Sequence, residues 1–298
     1  MEKAWAKGVE YWITPASAIE MDALVDLFND AYSQYYVDTH VTPDRLMNLI
    51  DREDISVENS FIVSSGQYPV GVVFLAIRGE RGYICGMGVR LVYQGRGLGE
   101  LLMRRAIYQA RTLKLSSLQL DEVDRNFRAE ALYRKLGFVQ VRTLGMWNRD
   151  GLPPPIAVPE RGAIDVILSS ARSRDVLPMS MVFNEVRPCW QNEVVSLGRL
   201  SPKFSAYVAS CGSAPCGYVL FGDTLQGLYL VDFAVSPQFT SDERESIGEM
   251  LIARIDEETR STASRAFNMP LGGYQEKALR ATGFALTLLQ QEMVLCLR

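Results

Sequence analysis

Displaced by 146 residues, the chain meets itself: Ser64 falls on Ser210, Gly66 on Gly212, Pro69 on Pro215, Gly71 on Gly217 and Val73 on Val219. The same displacement carries Val89 to Val235, Arg134 to Arg280, Gly137 to Gly283 and Phe138 to Phe284. No gap is needed over that span, so an internal duplication is expected, and a period this long implies two domains rather than a solenoid. Between Arg149 and Gly162 the chain carries Pro153, Pro154, Pro155 and Pro159, which block both helix and central strand. The expected division is therefore a first domain at 1–149, a proline-rich linker at 150–162 and a second domain at 163–298. A length of 298 residues accommodates two domains of ~100–150 residues each.

Composition narrows the chemistry. With 48% hydrophobic and 22% charged residues the chain is expected to bury a core and fold as a globule. A net charge of −4, from 31 basic and 35 acidic side chains, argues against a broad grip on nucleic acid. The cysteines Cys85, Cys189, Cys211, Cys216 and Cys296 are odd in number and contain no Cys-x-x-Cys, and His40 is the single histidine. Zinc ribbons, multi-histidine metal centres and a disulfide framework are thereby disfavoured, and a reducing cytoplasm is the expected compartment. No apolar run approaches the ~20 residues that span a bilayer, and Met1-Glu-Lys-Ala-Trp has no signal-peptide core, so no membrane partner is expected.

Each half reads as the same string of elements. In the first, a strand near Val9 to Ile13 leads to a helix from about Ile19 to Tyr35 and a short helix after Pro43. Strands follow at Phe61 to Ser64, Val70 to Ile77 and Tyr83 to Val89, then a long helix from Leu98 to Leu113 with Leu98, Leu102, Ala106 and Ala110 on one face. A strand (Leu118 to Asp121), a helix (Arg128 to Leu136, stopped by Gly137) and a strand (Phe138 to Leu144) complete the unit. Adjacent strands with one βαβ crossover predict an α/β (α+β) fold in which each domain is a mixed, mostly antiparallel sheet flanked by helices.

The segment Val89-Arg-Leu-Val-Tyr-Gln94-Gly95-Arg96-Gly97-Leu98-Gly99-Glu100 passes from a strand directly into the long helix. Glycines let the backbone approach a ligand closely, and a helix N-terminus offers unpaired N–H groups and the positive end of the dipole, so the segment suits a pyrophosphate. Glu100 stands where a dinucleotide fingerprint needs its third glycine, and no Gly-Lys-Ser/Thr follows as a P-loop requires.

Gln94-Gly95-Arg96-Gly97-Leu98-Gly99 resembles the Gln/Arg-x-x-Gly-x-Gly/Ala acyl-CoA loop of the GNAT superfamily of N-acetyltransferases. Asn126-Phe-Arg-Ala129-Glu-Ala-Leu-Tyr133-Arg-Lys-Leu-Gly137-Phe138 resembles that superfamily's second motif, Asn-x-x-Ala-x-x-Leu-Tyr-x-x-x-Gly-Phe. The resemblance covers most of 9–148 and extends to tandem members in which one repeat keeps its chemistry. It implies acetyl-CoA as cosubstrate and no metal. The N–H groups of Gln94, Gly95, Arg96, Gly97, Leu98 and Gly99 would hold the CoA pyrophosphate, while the strand edge at Met87, Gly88 and Val89 would pair with pantetheine, Val89 polarising the thioester. Asn126 would steady pantetheine beside Ala129, and Tyr133 would protonate the departing thiolate. A phenol of pKa ~10 suits that step.

An ammonium acceptor must lose a proton before it attacks. The strand Gly82–Val89 carries no carboxylate, so the candidates are Asp121, where partial burial would tune a carboxyl upward, and His40, in the loop between the first two helices. Tyr35, Tyr36 and Asp38, from the same loop, would receive a cationic acceptor through ring faces and charge. In the second half the glycine loop becomes Thr240-Ser241-Asp242-Glu243-Arg244-Glu245, Tyr133 becomes Leu279 and Asn126 becomes Gly272. The second domain is thus expected to be a degenerate copy. The expected function is transfer of an acetyl group to a primary amine, on a small molecule or a peptide, by direct attack; the alternative is an inactive CoA-binding sensor or scaffold.

Overall fold

The computed structural model describes residues 1–151, 165–200, 203–224, 227–259 and 261–298, so the expected linker at 150–162 lies almost wholly outside the described residues. Two compact units form, Met1–Arg142 with Gln291–Arg298, and Thr143–Gln290.

Unit 1 opens with a hairpin of β1 (Glu2–Ala6) and β2 (Val9–Pro15), turned at Lys7 and Gly8, both with positive φ. The sequence pattern gave no strand before Val9. Then come α1 (Met21–Ala31), α2 (Pro43–Glu53), β3 (Phe61–Ser65), β4 (Tyr68–Arg78), β5 (Arg81–Val89), α3 (Leu98–Thr112), β6 (Ser117–Val123) and α4 (Phe127–Lys135). Strand order is β1-β2-β3-β4-β5-β6, antiparallel until the parallel β5–β6 contact. That contact is parallel because α3 carries the chain back across the sheet before β6 begins. Leu98, Leu102, Met103, Ala106, Ile107 and Ala110 form the buried stripe of α3. Each large member of such a stripe stabilises the fold by ~1.5–3 kcal/mol.

Two features of this sheet prepare a site. The β4–β5 register slips between Phe74 and Leu75, leaving Cys85 as the extra residue of a bulge. Next, β5 and β6 pair at Arg81↔Ser117, Gly82↔Leu118 and Tyr83↔Gln119 and then part, so the edge of β5 from Ile84 to Val89 is no longer covered by its neighbour.

Unit 2 is built from β7 (Val139–Asp150), β8 (Val166–Arg172), α5 (Leu177–Phe183), α6 (Val194–Gly198), β9 (Phe204–Cys211), β10 (Ala214–Thr224), β11 (Gly227–Val235), α7 (Ser241–Thr259), β12 (Ala263–Pro270), α8 (Tyr274–Ala281) and β13 (Ala285–Cys296). The bounds of β10, β11 and β13 are those of β4, β5 and β7 moved by 146 residues. The bulge moves with them, to Leu220/Phe221, and so does the parallel contact, to Leu228↔Ser264 and Tyr229↔Arg265. Strand order is β7-β12-β11-β10-β9-β8.

The division of the chain differs from the expected one at both ends. From Thr143 onward β7 belongs to unit 2, because its backbone groups pair with β12, from Leu144↔Pro270 to Asp150↔Ala263. Conversely, Gln291–Arg298 belongs to unit 1, where Met293 and Leu295 enter the core and the Leu297 N–H donates to the Ser116 carbonyl at 3.0 Å. Arg149, at the expected boundary, is buried inside unit 2. Its guanidinium grips both Asp256 oxygens, donates to the Thr282 carbonyl at 2.9 Å and to Ser264 Oγ at 3.1 Å, and stacks on Phe284.

Candidate active site

The exposed edge of β5 has a definite polarity. Arg90 donates to the Val70 carbonyl at 2.9 Å, and the register runs Gly71↔Val89, Val72↔Gly88, Val73↔Met87. Bonded and non-bonded pairs alternate in an antiparallel ladder, so Gly88 bonds to β4 while the N–H and C=O of Val89 and Met87 point the other way, into the gap left by β6. The Val89 carbonyl accepts from Gln94 Nε2 at 3.1 Å. Met87 is engaged by Tyr32: its N–H donates to the Tyr32 hydroxyl at 3.0 Å, and that hydroxyl donates to the Met87 carbonyl at 3.3 Å. The approach of α1 requires the glycine between them, since a Cβ on Gly88 would lie 2.8 Å from Ala31 Cβ and 3.1 Å from the Tyr32 ring.

Beyond β5 the chain turns into α3 through Gly95 at φ 76° and Gly97 at φ 84°, conformations in which other residues are strained. Gly97 caps α3 with no side-chain hydrogen bond, so the first-turn amides at Leu98, Gly99 and Glu100 face outward without a side-chain acceptor. A Cβ on Gly99 would lie 3.6 Å from both Met87 Sδ and a Leu132 methyl, which places this helix start at the end of the β5 edge. Three cations surround the loop. Lys7 donates to the Gly95 carbonyl at 2.6 Å, Arg128 donates to Gln94 Oε1 at 3.4 Å, and Arg96 lies over the Tyr93 ring at 4.8 Å. Neither Lys7 nor Arg128 was singled out from the sequence; Lys7 comes from a hairpin the pattern did not reveal.

On the other wall of the gap stands Glu122, at the end of β6. It is 6% exposed, and its Oε1 has no hydrogen-bond partner. Burial pushes its carboxyl up to about 8, opposed by hydrogen bonding from Asn126, the Val123 backbone and Tyr133. Tyr133, 5% exposed, reaches it from α4, and burial followed by the Glu122 charge raises its phenol well above the ordinary value. Burial and then the same carboxyl also raise Tyr32 and Tyr35. The Phe28, Tyr32, Tyr35 and Tyr36 rings contact one another in succession, with centroids 4.6, 5.1 and 5.5 Å apart.

The remaining expected residues take varied places. Asp121 points to the opposite face of β6 and accepts from the Tyr83 hydroxyl at 3.0 Å. Asn126 caps α4, with Oδ1 accepting from the Ala129 N–H at 3.4 Å. Tyr36 is exposed and donates to the Arg125 carbonyl at 2.9 Å. Asp38 accepts from the His40 N–H at 3.1 Å, and the exposed His40 ring lies 3.4 Å from Asn29 Nδ2 on α1. Cys85 is held protonated by burial.

The acetyltransferase (GNAT) family profile matches residues 21–138. Residues 21–138 form a GNAT acetyltransferase domain. No curated protein matches the sequence. Among solved structures, a tandem GNAT protein from the clavulanic acid biosynthesis pathway is 15% identical with a TM-score of 0.67, over 97% of this chain and 99% of that one. A GCN5-related N-acetyltransferase from Sphaerobacter thermophilus is 14% identical with a TM-score of 0.68, over 97% and 96%. A putative acetyltransferase from Pyrococcus horikoshii is 16% identical with a TM-score of 0.67, over 99% and 92%. The tandem GNAT fold thus extends over nearly the whole chain.

The corresponding gap in unit 2 is filled by its own side chains. Val235, the counterpart of Val89, donates its N–H to the Tyr274 hydroxyl at 3.0 Å, and Phe233, the counterpart of Met87, accepts from Gln275 Nε2 at 2.8 Å. At the start of α7, Thr240 Oγ1 accepts from the Glu243 N–H at 3.4 Å while Glu243 Oε2 accepts from the Thr240 N–H at 2.7 Å. In the shared register α7 thus starts a turn earlier than α3, and its first turn is closed by its own side chains, whereas α3 starts at Gly97 without a side-chain cap. Leu279 stands buried where the GNAT domain has Tyr133.

Proposed function

We propose that the GNAT domain of unit 1 transfers an acetyl group from acetyl-CoA to a primary amine by direct attack, and that the chain takes one acetyl-CoA. The observation that carries this reading is the continuity of three features: open amides at Leu98, Gly99 and Glu100, outward N–H groups at Val89 and Met87, and a buried Tyr133. The diphosphate would lie on the Gly95–Gly99 amides among Lys7, Arg96 and Arg128, and pantetheine along Met87–Val89. An acyl-CoA supplies an activated thioester carbonyl there. The sealed edge and capped helix of unit 2 support a single nucleotide.

For the proton, Glu122 has a better claim than Asp121, which is engaged by Tyr83. An acceptor arriving as ammonium first loses one proton to solvent. Glu122, ionised, then takes the second proton as nitrogen bonds to the carbonyl carbon. Tyr133 gives its proton to the departing sulfur, and Glu122 returns one to Tyr133, so both side chains end as they began. Tyr32, Tyr35 and Tyr36 would meet the acceptor with ring faces suited to a cation. His40, beside Asn29, lies outside this path.

Release of free thiol from acetyl-CoA with a panel of polyamines, amino acids, aminoglycosides and peptide N-termini tests the proposal. Tyr133→Phe is expected to slow release by ~10²-fold or more, with acetyl-CoA binding by calorimetry unchanged and saturating at one per chain. The second reading, a CoA-binding sensor, is favoured by the Tyr32 hydroxyl already resting on the Met87 amide. It prevails if acetyl-CoA binds and no amine releases thiol; absence of binding sinks both.

A further inference from the structure

Outside the GNAT domain, Cys211 and Cys216 stand side by side. Cys211 ends β9, Cys216 lies near the start of β10, and Gly212 at φ 62° turns the hairpin between them. The β9–β10 register slips between Pro215 and Gly217, so Cys216 has no partner directly across the ladder. The slip brings Cys216 to the same side of the hairpin as Cys211, and the two sulfur atoms lie 2.9 Å apart. A disulfide needs ~2.05 Å between its sulfurs, so a shift of about 0.9 Å closes the bond, within the reach of small χ1 adjustments.

The surroundings differ for the two thiols in a way that orders the chemistry. Cys216 is fully buried in the unit 2 core, whereas Cys211 packs against that core and remains partly open to solvent. Burial, reinforced by the Cys211 sulfur, pushes the Cys216 thiol up to about 12. The remaining cysteines stand elsewhere: Cys85 in the β5 bulge of unit 1, Cys189 buried after α5, and Cys296 exposed at the end of β13.

We propose that Cys211 and Cys216 are an oxidative modification site, closed to a disulfide across the β9–β10 hairpin by hydrogen peroxide. Cys211 Sγ attacks one peroxide oxygen, the O–O bond breaks, and Cys211 becomes a sulfenic acid as one water leaves. Cys216 Sγ then attacks Cys211 Sγ, its proton leaves with the departing hydroxyl as a second water, and the S–S bond forms. Two thiols lose two electrons and one hydrogen peroxide becomes two waters. The proposal is independent of what the GNAT domain catalyses.

The test uses the full chain exposed to a few equivalents of hydrogen peroxide, then alkylated and digested for mass spectrometry. The expected result is one intramolecular link between the Cys211 and Cys216 peptides, a fall in free thiols from five to three per chain, and recovery of all five with a phosphine reductant. Cys216→Ser is expected to leave Cys211 as a sulfenic acid that reacts with dimedone, an adduct the wild type does not accumulate. The proposal is overturned if peroxide spares both thiols, if Cys211 goes to sulfinic acid in the wild type, or if the link joins another pair. Should Cys216→Ser fail to fold, the wild-type map alone decides.

Discussion

At the scale of single residues, the proposed proton transfer turns on the buried carboxyl of Glu122. Its folded-state carboxyl titrates near 8 because burial outweighs the hydrogen bonds it receives, against 4.5 ordinarily. Between those values the folded protein holds a proton that the unfolded chain has released, so stability falls as pH rises from about 4.5 through 8. Glu122→Gln, which keeps the shape without the charge, should flatten that part of the stability curve in thermal melts from pH 5 to 9. Thiol release should rise with pH through about 8 in the wild type and lose that limb in the variant. The signal for Glu122 was present in the sequence: period two from Leu118 and Leu120 leads to it and away from Asp121. Missing from the pattern was the parting of β5 from β6, which turns a core-facing position into one that borders a gap.

Elements were legible where local geometry decides them. The expected strands at Val70 to Ile77 and Tyr83 to Val89 fall inside β4 and β5, and the apolar face of α3 is the expected one. α1 is shorter than expected, ending at Ala31, because Tyr32 and Tyr35 continue the apolar pattern while their rings serve the β5 edge and the Glu122 cluster. Helix starts separate the two halves most clearly. Gly97→Ala should introduce strain of order 1–2 kcal/mol at φ 84° and weaken acetyl-CoA binding in calorimetry. Thr240→Ala, removing the capping box of α7, should cost ~1 kcal/mol in urea unfolding of unit 2 and leave acetyl-CoA binding unchanged.

At the scale of the molecule, the repeat was readable and the exchange of terminal strands was not, because strand partners are chosen by long-range pairing that residue spacing does not encode. Arg149→Ala would leave Asp256 buried without its cation. It should destabilise unit 2 by ~3–5 kcal/mol in urea titrations, with Arg149→Met/Asp256→Leu recovering most of the loss. Met293→Ala should lower hydrogen-exchange protection in α3 and α4, which share its core, before it affects α7 and α8.

Because residues 291–298 finish the sheet of the half that carries the glycine loop, order of synthesis and order of assembly run opposite ways. A ribosome delivers β1–β6 first, yet their last neighbour emerges only after every strand of unit 2 has been translated. A nascent chain stalled before Gln291 would therefore display an unfinished unit 1, and the newborn chain would mature from its second half backward.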